Sequence, residues 1–498
     1  MSRVLTAVRE YARRQPDVIA IEAADSNVSL SYAQLIESVE TLASELSCSD
    51  VRVAAVFADN SPAWCVADLA LIDVSIPSVP IPHFFSPQQI QHLFQTSGAN
   101  VLLTDQPESV IRLLSSLQIE AEPKQLSITN LYRIDLPWIP AAVLPDGCAK
   151  ITFTSGSTGN PKGVCLAQES MEQVALSLVE ATGANGNDRH LSVMPYTTLL
   201  ENIGGIYVPL LVGATVSAPG LAAVGLSGAS GLDVQTFVSR LSISAATTTI
   251  MIPQMLNALV SGIAMGLPKP HALRFIAVGG APVSLYLLQQ ATALGLPVYE
   301  GYGLSEAASV VAVNSPHAML AGSVGKPLPH VNVSFAEDGE ILLQGNLFSG
   351  YLGEEFVAGK TWATGDLGYL DEAGFLHLSG RKKHIFITAF GRNVSPEWVE
   401  GELAIEPAIA QVCLFGEAQP FNVALIQPRE GFDAAAVEAA VAAANSRLPD
   451  YARVSRWMVT REPFSVTNGL WTGTGRPRRS EIAKSYSEAL KAMFEERV

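Results

Sequence analysis

Residues 154–163 hold four hydroxyl side chains (Thr154, Ser155, Ser157, Thr158), three glycines (Gly156, Gly159, Gly163) and Lys162. Glycines let backbone N–H groups approach an anion, hydroxyls donate to its oxygens, and the lysine adds charge, which together suit a polyphosphate. The Walker A pattern needs Gly-Lys followed by Ser or Thr, whereas Lys162 follows Pro161 and precedes Gly163. An ordinary P-loop NTPase is therefore disfavoured. Downstream, Gly279-Gly280-Ala281 and Tyr302-Gly303-Leu304-Ser305-Glu306 form two glycine turns at expected strand ends. A flat base could lie between them, with Ser305 donating to phosphate and Glu306 offering the hard oxygen that Mg²⁺ prefers. Asp366, after Thr364-Gly365, could accept from a ribose diol, and Arg381 follows it by fifteen residues. A basic glycine loop, Gly475-Arg476-Pro477-Arg478-Arg479, closes the set.

Something must hold these dispersed groups together. Up to about residue 320, β-rich runs (51–57, 101–104, 151–154, 191–194, 247–251, 274–278) alternate with helical patterns (62–73, 87–96, 169–182, 283–294). This predicts layered α/β architecture with mostly parallel strands. Ser284 is a plausible cap for the last helix. From Val331 the pattern changes to hairpins, with turns at Asp338-Gly339 and 371–374, predicting a β-rich subdomain over about 321–380. Beyond Gly380 a small α+β unit is expected, with strands at 385–388, 411–415, 422–426 and 455–459. Asp433 caps an Ala-rich helix there, and 480–494 reads as a closing helix. The expected domains are 1–382 and 383–498.

With 498 residues, 48% of them hydrophobic and only 16% charged, the chain can bury a large core, which excludes general disorder. Formal charge of −16 opposes nucleic acid and anionic membrane as partners. Five scattered cysteines without a CxxC pair fit a reducing cytosol, each as a small core residue. The N-terminus reads as an amphipathic helix broken by Arg9, Arg13 and Arg14, not as an export signal. Residues 202–232 carry no charge, yet glycines and two prolines favour a buried strand–turn–helix over a membrane span. A cytoplasmic protein without an integral membrane segment is expected.

Taken together, the four segments resemble the AMP-forming acyl-adenylating superfamily of acyl-CoA synthetases, adenylation domains and luciferases, over nearly the whole chain and in the same order. The resemblance implies a large N-terminal domain, a hinge and a small mobile C-terminal domain. It implies that a carboxylate and MgATP give acyl-AMP and pyrophosphate, after which a thiol captures the acyl group. On this likeness Thr154, Ser155, Gly156, Ser157, Thr158, Gly159 and Lys162 are the pyrophosphate loop. Gly279, Gly280, Ala281, Tyr302 and Gly303 wall the adenine, Ser305 meets the α-phosphate, Glu306 ligates Mg²⁺, and Asp366 and Arg381 hold the ribose. Lys383 sits at the hinge, and Gly391 with Arg392 matches the loop that enters the site for thioester formation. Arg476 occupies the position where most relatives carry a catalytic lysine, so Lys162, Glu306 and Arg476 are the expected catalytic groups.

The substrate reading follows from a missing feature. Amino-acid-activating relatives place a Phe-Asp pair in the region of 215–237, and this chain has none there. A fatty or other non-amino acid is therefore expected, with the stretch from Met194 to Asn202 resembling long-chain acyl-CoA synthetases apart from Thr198. Thr198, Thr249, Met251 and Gly280 are the candidate acyl pocket, and Glu201 is read as structural. The thiol is expected to be coenzyme A. The alternatives are the phosphopantetheine of an acyl carrier protein, an amine acceptor, or a degenerate homologue that binds acyl-adenylate without turnover.

Overall fold

The computed structural model describes residues 2–137, 143–154, 161–228, 231–354, 361–472 and 475–495. Apolar runs in the first half become two large sheets, and both are where the alternation places them. In the first sheet, Arg189–Leu191, Thr215–Ser217, Thr248–Met251, Phe275–Val278 and Val298–Leu304 run parallel. Their carboxyl ends open at one edge, where open α/β sheets receive ligands. In the second, Ala54–Phe57 lies parallel between Ser78–Pro80 and Val101–Thr104, and Cys148–Thr154 makes a hairpin with Lys162–Ala167.

Local chemistry starts the helices. Ser61 caps Pro62–Asp73, Ser86 and Gln89 close a capping box ahead of Pro87–Ser97, and Ser284 caps Leu285–Ala293. Between the two sheets lies a buried polar cluster. The Lys150 ammonium donates to Asp68 Oδ1 (2.6 Å), Asn202 Oδ1 (2.5 Å) and the Tyr207 hydroxyl (3.2 Å), and Tyr207 donates to Asp68 Oδ2 (2.7 Å). Burial pushes the Lys150 pKa down and Asp68 pushes it back up. A buried ion pair survives only when every remaining donor and acceptor is satisfied, and here the hydrogen bonds do so.

The hairpin region forms a four-stranded antiparallel sheet of Val331–Phe335, Glu340–Gly345, Trp362–Leu370 and Leu376–Arg381. The last unit has its own core. Strands Ile409–Phe415, Asn422–Pro428 and Val454–Val459 form its sheet, packed by Pro396–Ala404 and by Ala434–Arg447, which Asp433 caps. The protein is thus mixed α/β, with a large N-terminal body and a smaller C-terminal domain.

Several expectations need correcting. The strand expected at 191–194 is Arg189–Leu191, because Pro195 turns the chain and the Met194 carbonyl accepts from Asn60. Residues 202–220 are buried or half-buried, as expected for this stretch, but helix precedes strand. A π-helical turn Ile203–Tyr207 and helix Val208–Val212 end at Gly213 (φ +78°), and strand Thr215–Ser217 follows. The closing helix is two, Arg479–Ser485 and Ser487–Glu495, broken at Tyr486, whose ring stands edge-on to Phe464. Cys48 is exposed whereas the other four cysteines are buried. Among the described residues no helix is long and apolar enough to cross a membrane.

Candidate active site

Antiparallel register places Thr154 opposite Lys162 at the loop end of their hairpin. Ser155, Gly156, Ser157, Thr158 and Gly159 lie outside the described residues. Gly350–Tyr351 pairs on the other side of the Lys162 strand, which stacks the Tyr351 ring 4.8 Å beneath the Lys162 ammonium. Glu354 lies 3.2 Å from the same ammonium. The Tyr351 hydroxyl donates to Glu306 Oε1 at 2.7 Å. Sequence reasoning missed Tyr351, because only strand pairing across some 190 residues of chain brings it beside Lys162. The Glu306 carboxylate is thereby oriented, and among the described residues no hydrogen bond is made to its other oxygen.

Glu306 sits on a single turn, Ser305–Ala307, closing strand Val298–Leu304. The chain returns so tightly that a Cβ on Gly303 would lie 1.6 Å from the Ser309 carbonyl oxygen, and Ala308 and Ser309 take positive φ (51° and 103°). Such conformations persist only where the surroundings fix them, and they collect at functional sites. Gly279 packs against backbone less tightly, its missing Cβ 3.1 Å from the Gly301 oxygen, so two bare backbones form the slot read in the sequence.

Across the slot stands a connected triad. The Tyr302 hydroxyl donates to Asp366 Oδ2 at 2.6 Å, and Arg381 Nε lies 2.7 Å from Asp366 Oδ1. Arg381 also donates to the Thr364 carbonyl (3.2 Å), and hairpin register sets Asp366 opposite Arg381. Burial pushes the Asp366 carboxyl up, and Arg381 and the Tyr302 hydroxyl pull it back. Behind the slot, Glu300 is almost fully buried, its pKa pushed up to about 8 by burial and held back only by a hydrogen bond from the Val283 backbone. This carboxyl also escaped sequence reasoning; its signal was an acidic residue inside an apolar strand.

The C-terminal domain closes the cleft. Arg476 Nη2 reaches the Gly280 carbonyl at 2.5 Å, and its own N–H is fixed by Thr472 Oγ1. Arg479 instead turns inward to a bidentate pair with Glu400 (2.6 and 3.0 Å). The seam is polar: Ser284 donates to Glu402 (2.7 Å), Arg447 pairs with Glu402 and Glu406, and Arg447 lies over the Tyr286 ring (4.8 Å). Lys382 is pinned to Asp338 and Glu340 of the β-rich sheet, whereas Lys383 is exposed beside the cleft.

Thr198, Thr249 and Gly280 line the cleft, although the Thr249 hydroxyl is already committed to the Leu191 carbonyl. Met251 does not line it. Met251 is instead fully buried in the core cluster that holds Met255, Leu256 and Leu287. Gly391 and Arg392 lie on an exposed hairpin tip outside the lining of the cleft, whereas Gly475, Arg476 and Pro477 line it. Glu201 is fully buried, 3.0 Å from His190 Nε2, in the structural role expected.

The cleft encloses about 2870 Å³, far more than a nucleotide alone requires. Residues 8–365 match the AMP-binding enzyme family, and residues 383–498 match its C-terminal domain. The chain belongs to that family, within the AMP-forming acyl-adenylating superfamily. It is 26% identical to a long-chain-fatty-acid–CoA ligase, FadD15, of Mycobacterium bovis, over 99% of this chain and 97% of that protein. It is 25% identical to human long-chain-fatty-acid–CoA ligase 1, over 93% and 82%. Its fold matches an anthranilate CoA ligase bound to anthranoyl-AMP (TM-score 0.80, 17% identity, 99% and 98% covered). It also matches the o-succinylbenzoate coenzyme A synthetase of Bacillus subtilis with ATP and magnesium (TM-score 0.74, 23% identity, 97% and 99% covered).

Proposed function

We propose that this protein joins a fatty acid, or another acid without an α-amino group, to coenzyme A through an acyl-AMP intermediate. One observation carries the reading: the Tyr302–Asp366–Arg381 triad, the Glu306–Tyr351–Lys162 chain and Arg476 converge on one cleft. In the first step a carboxylate oxygen attacks the α-phosphorus of ATP, and the bond to the bridging oxygen of pyrophosphate breaks. In the second a thiol sulfur attacks the acyl carbon, its proton is lost to solvent, and AMP leaves. Such displacement at phosphorus is governed by positioning and charge neutralisation.

Each group has a task in this reading. Asp366 and Arg381 hold the ribose, the Gly279–Gly303 slot takes the adenine, and Ser305 meets the α-phosphate. Lys162, with the preceding loop, receives the departing pyrophosphate. Arg476 steadies charge between the carboxylate and the α-phosphate. A lone oriented carboxylate suits Mg²⁺, which binds through one or two carboxylates plus substrate phosphates. Among the described residues no cluster of three metal-binding side chains exists, which fits an ion that arrives with ATP. Glu306 would hold it, and the ion would neutralise triphosphate charge.

Support for an acid without an ammonium group comes from the carboxylates near the acyl end. Asp188 is bound to Arg274 (2.5 Å), and Asp233 caps helix Val234–Ile243. Lys383 serves as the hinge about which the C-terminal domain, residues 383–498, turns between the two steps. The test is acid-dependent ATP–pyrophosphate exchange across alkyl, aryl and amino acids, followed by addition of coenzyme A. Exchange with alkyl acids and discharge by coenzyme A are expected. Exchange only with amino acids, or discharge only by a carrier protein or amine, would refute the assignment, and ATP binding without exchange would mark a non-catalytic homologue.

A further inference from the structure

Glu306 and Lys162 come from different sheets. Glu306 follows strand Val298–Leu304 of the first, and Lys162 opens strand Lys162–Ala167 of the second. A short stretch of chain, residues 348–352, is hydrogen-bonded to both. The Phe348 N–H donates to the Glu306 carbonyl (2.8 Å), the Ser349 N–H to the Cys165 carbonyl (2.8 Å) and the Leu352 N–H to the Gly163 carbonyl (2.7 Å). Tyr351 therefore stands where the two sheets meet, on a backbone anchored to each.

The Tyr351 side chain uses its two ends differently. Its hydroxyl donates to Glu306 Oε1 at 2.7 Å, and its ring face carries the Lys162 ammonium, 4.8 Å from the centroid. Phe348 and Trp362 stand edge-on to the ring, with centroids 5.1 and 5.9 Å away, and hold its plane. Burial and the nearby Glu306 and Glu354 carboxylates push the Tyr351 pKa up, so the phenol keeps its proton and is the donor. A hydroxyl on a carboxylate makes a charge-assisted bond, whereas a π-face attracts an ammonium without occupying its N–H groups. Lys162 thus keeps donors for an anion. One of them meets Glu354 at 3.2 Å, in a half-exposed pair weak enough for a phosphate to displace.

We propose that Tyr351 is a positioning residue that joins the metal carboxylate to the pyrophosphate lysine: its hydroxyl aims Glu306 at Mg²⁺, and its ring face seats Lys162 for the phosphates. The inference rests on the adenylation reading above. One side chain then sets the spacing between a group of the first sheet and a group of the second.

The experiment measures ligand binding to the full chain by calorimetry, with no acid present so that nothing turns over. ATP is titrated in Mg²⁺ and in EDTA, and pyrophosphate in EDTA. Tyr351→Phe removes the hydroxyl and keeps the ring. Its affinity for MgATP should fall about tenfold, the scale of one hydrogen bond to a charged group, while metal-free ATP and pyrophosphate bind as in the parent. Acid-dependent ATP–pyrophosphate exchange by this variant should recover as Mg²⁺ is raised. Tyr351→Leu removes the ring face as well, and should also weaken metal-free pyrophosphate by about threefold, the scale of an exposed cation–π contact. Equal loss of ATP affinity with and without Mg²⁺ in Tyr351→Phe, or no loss in either, would overturn the role of the hydroxyl. Unchanged pyrophosphate binding in Tyr351→Leu would overturn that of the ring. A parent that shows no exchange with any acid would instead overturn the adenylation reading itself.

Discussion

Replacing Glu300 by glutamine asks whether the carboxyl behind the adenylate slot is neutral in the folded protein. Its side chain is 9% exposed, and burial moves its pKa from 4.5 to about 8. Between those values the folded chain keeps a proton that the unfolded chain has released. Stability contributed by the neutral carboxyl therefore falls as pH rises above 4.5, and the loss is complete beyond about 8. At about 1.4 kcal/mol per tenfold change in proton activity, the full loss is about 5 kcal/mol. Unfolding entropy of a body this size is about 0.8 kcal/mol/K, so the loss is about 6 °C of melting temperature. Glutamine carries no proton to lose and can still accept from the Val283 N–H. Glu300→Gln should melt above the parent by about 2 °C near pH 5.5 and by about 6 °C near pH 9. Thermal melts of the ligand-free proteins across that range provide the measurement. An offset that does not grow with pH would show that Glu300 is ionised in the fold, and the argument would fail.

Other predictions separate the two half-reactions. Arg476→Ala should slow acyl-AMP formation by about a hundredfold, the usual cost of a lost charge-stabilising donor, while leaving thioester formation from synthetic acyl-AMP intact. Arg476→Lys should raise the adenylation rate, since a compact ammonium and a planar guanidinium present charge differently. Glu402→Gln weakens the Ser284–Glu402–Arg447 seam and should slow adenylation about tenfold with no loss in the second step; single-turnover assays of both steps decide. Lys383→Pro fixes φ at the proposed hinge and should spare adenylate formation while blocking thioester formation, and equal loss in both would place the hinge elsewhere.

Much of this fold could be read from local chemistry. Asp433 and Ser284 cap the helices they were expected to cap, and the Asp338-Gly339 turn joins the two strands expected to flank it. Such features depend on a few neighbouring residues. Gly279, Tyr302, Asp366 and Arg381, singled out by residue type and by resemblance, do come together in the structure, through close backbone approach and charge pairing. What stayed hidden depends on pairing across the chain. Tyr351 reaches Lys162 through an added edge strand, and Ser284 meets Glu402 only after the C-terminal domain docks. Met251 was misplaced because an apolar residue ending a strand near the site fits a pocket wall or the core equally well. Packing, not hydrophobicity, separates the two, and sequence alone does not tell which side of a strand buried on both faces meets the site. The π-turn was hidden for a similar reason, since Gly204-Gly205 reads as a break rather than as close packing against Ile250 and Glu201.

The Lys150 cluster has a consequence for how the body comes apart. Its ammonium belongs to a strand of the second sheet, Asp68 to the helix Pro62–Asp73 that links Ala54–Phe57 to Ser78–Pro80 of the same sheet, and Asn202 and Tyr207 to the crossover between two strands of the first sheet. Pulling the sheets apart would strip the Lys150–Asp68 pair of its Asn202 and Tyr207 hydrogen bonds, at a cost of about 1–3 kcal/mol for each buried group left unsatisfied. The two sheets, each large enough to be a domain, are thus bound into one cooperative unit, and the body should give a single calorimetric transition. The C-terminal domain, with a separate core and a polar seam, is free to melt on its own. A chain cut between residues 68 and 150 should therefore yield fragments that fold only when both are present.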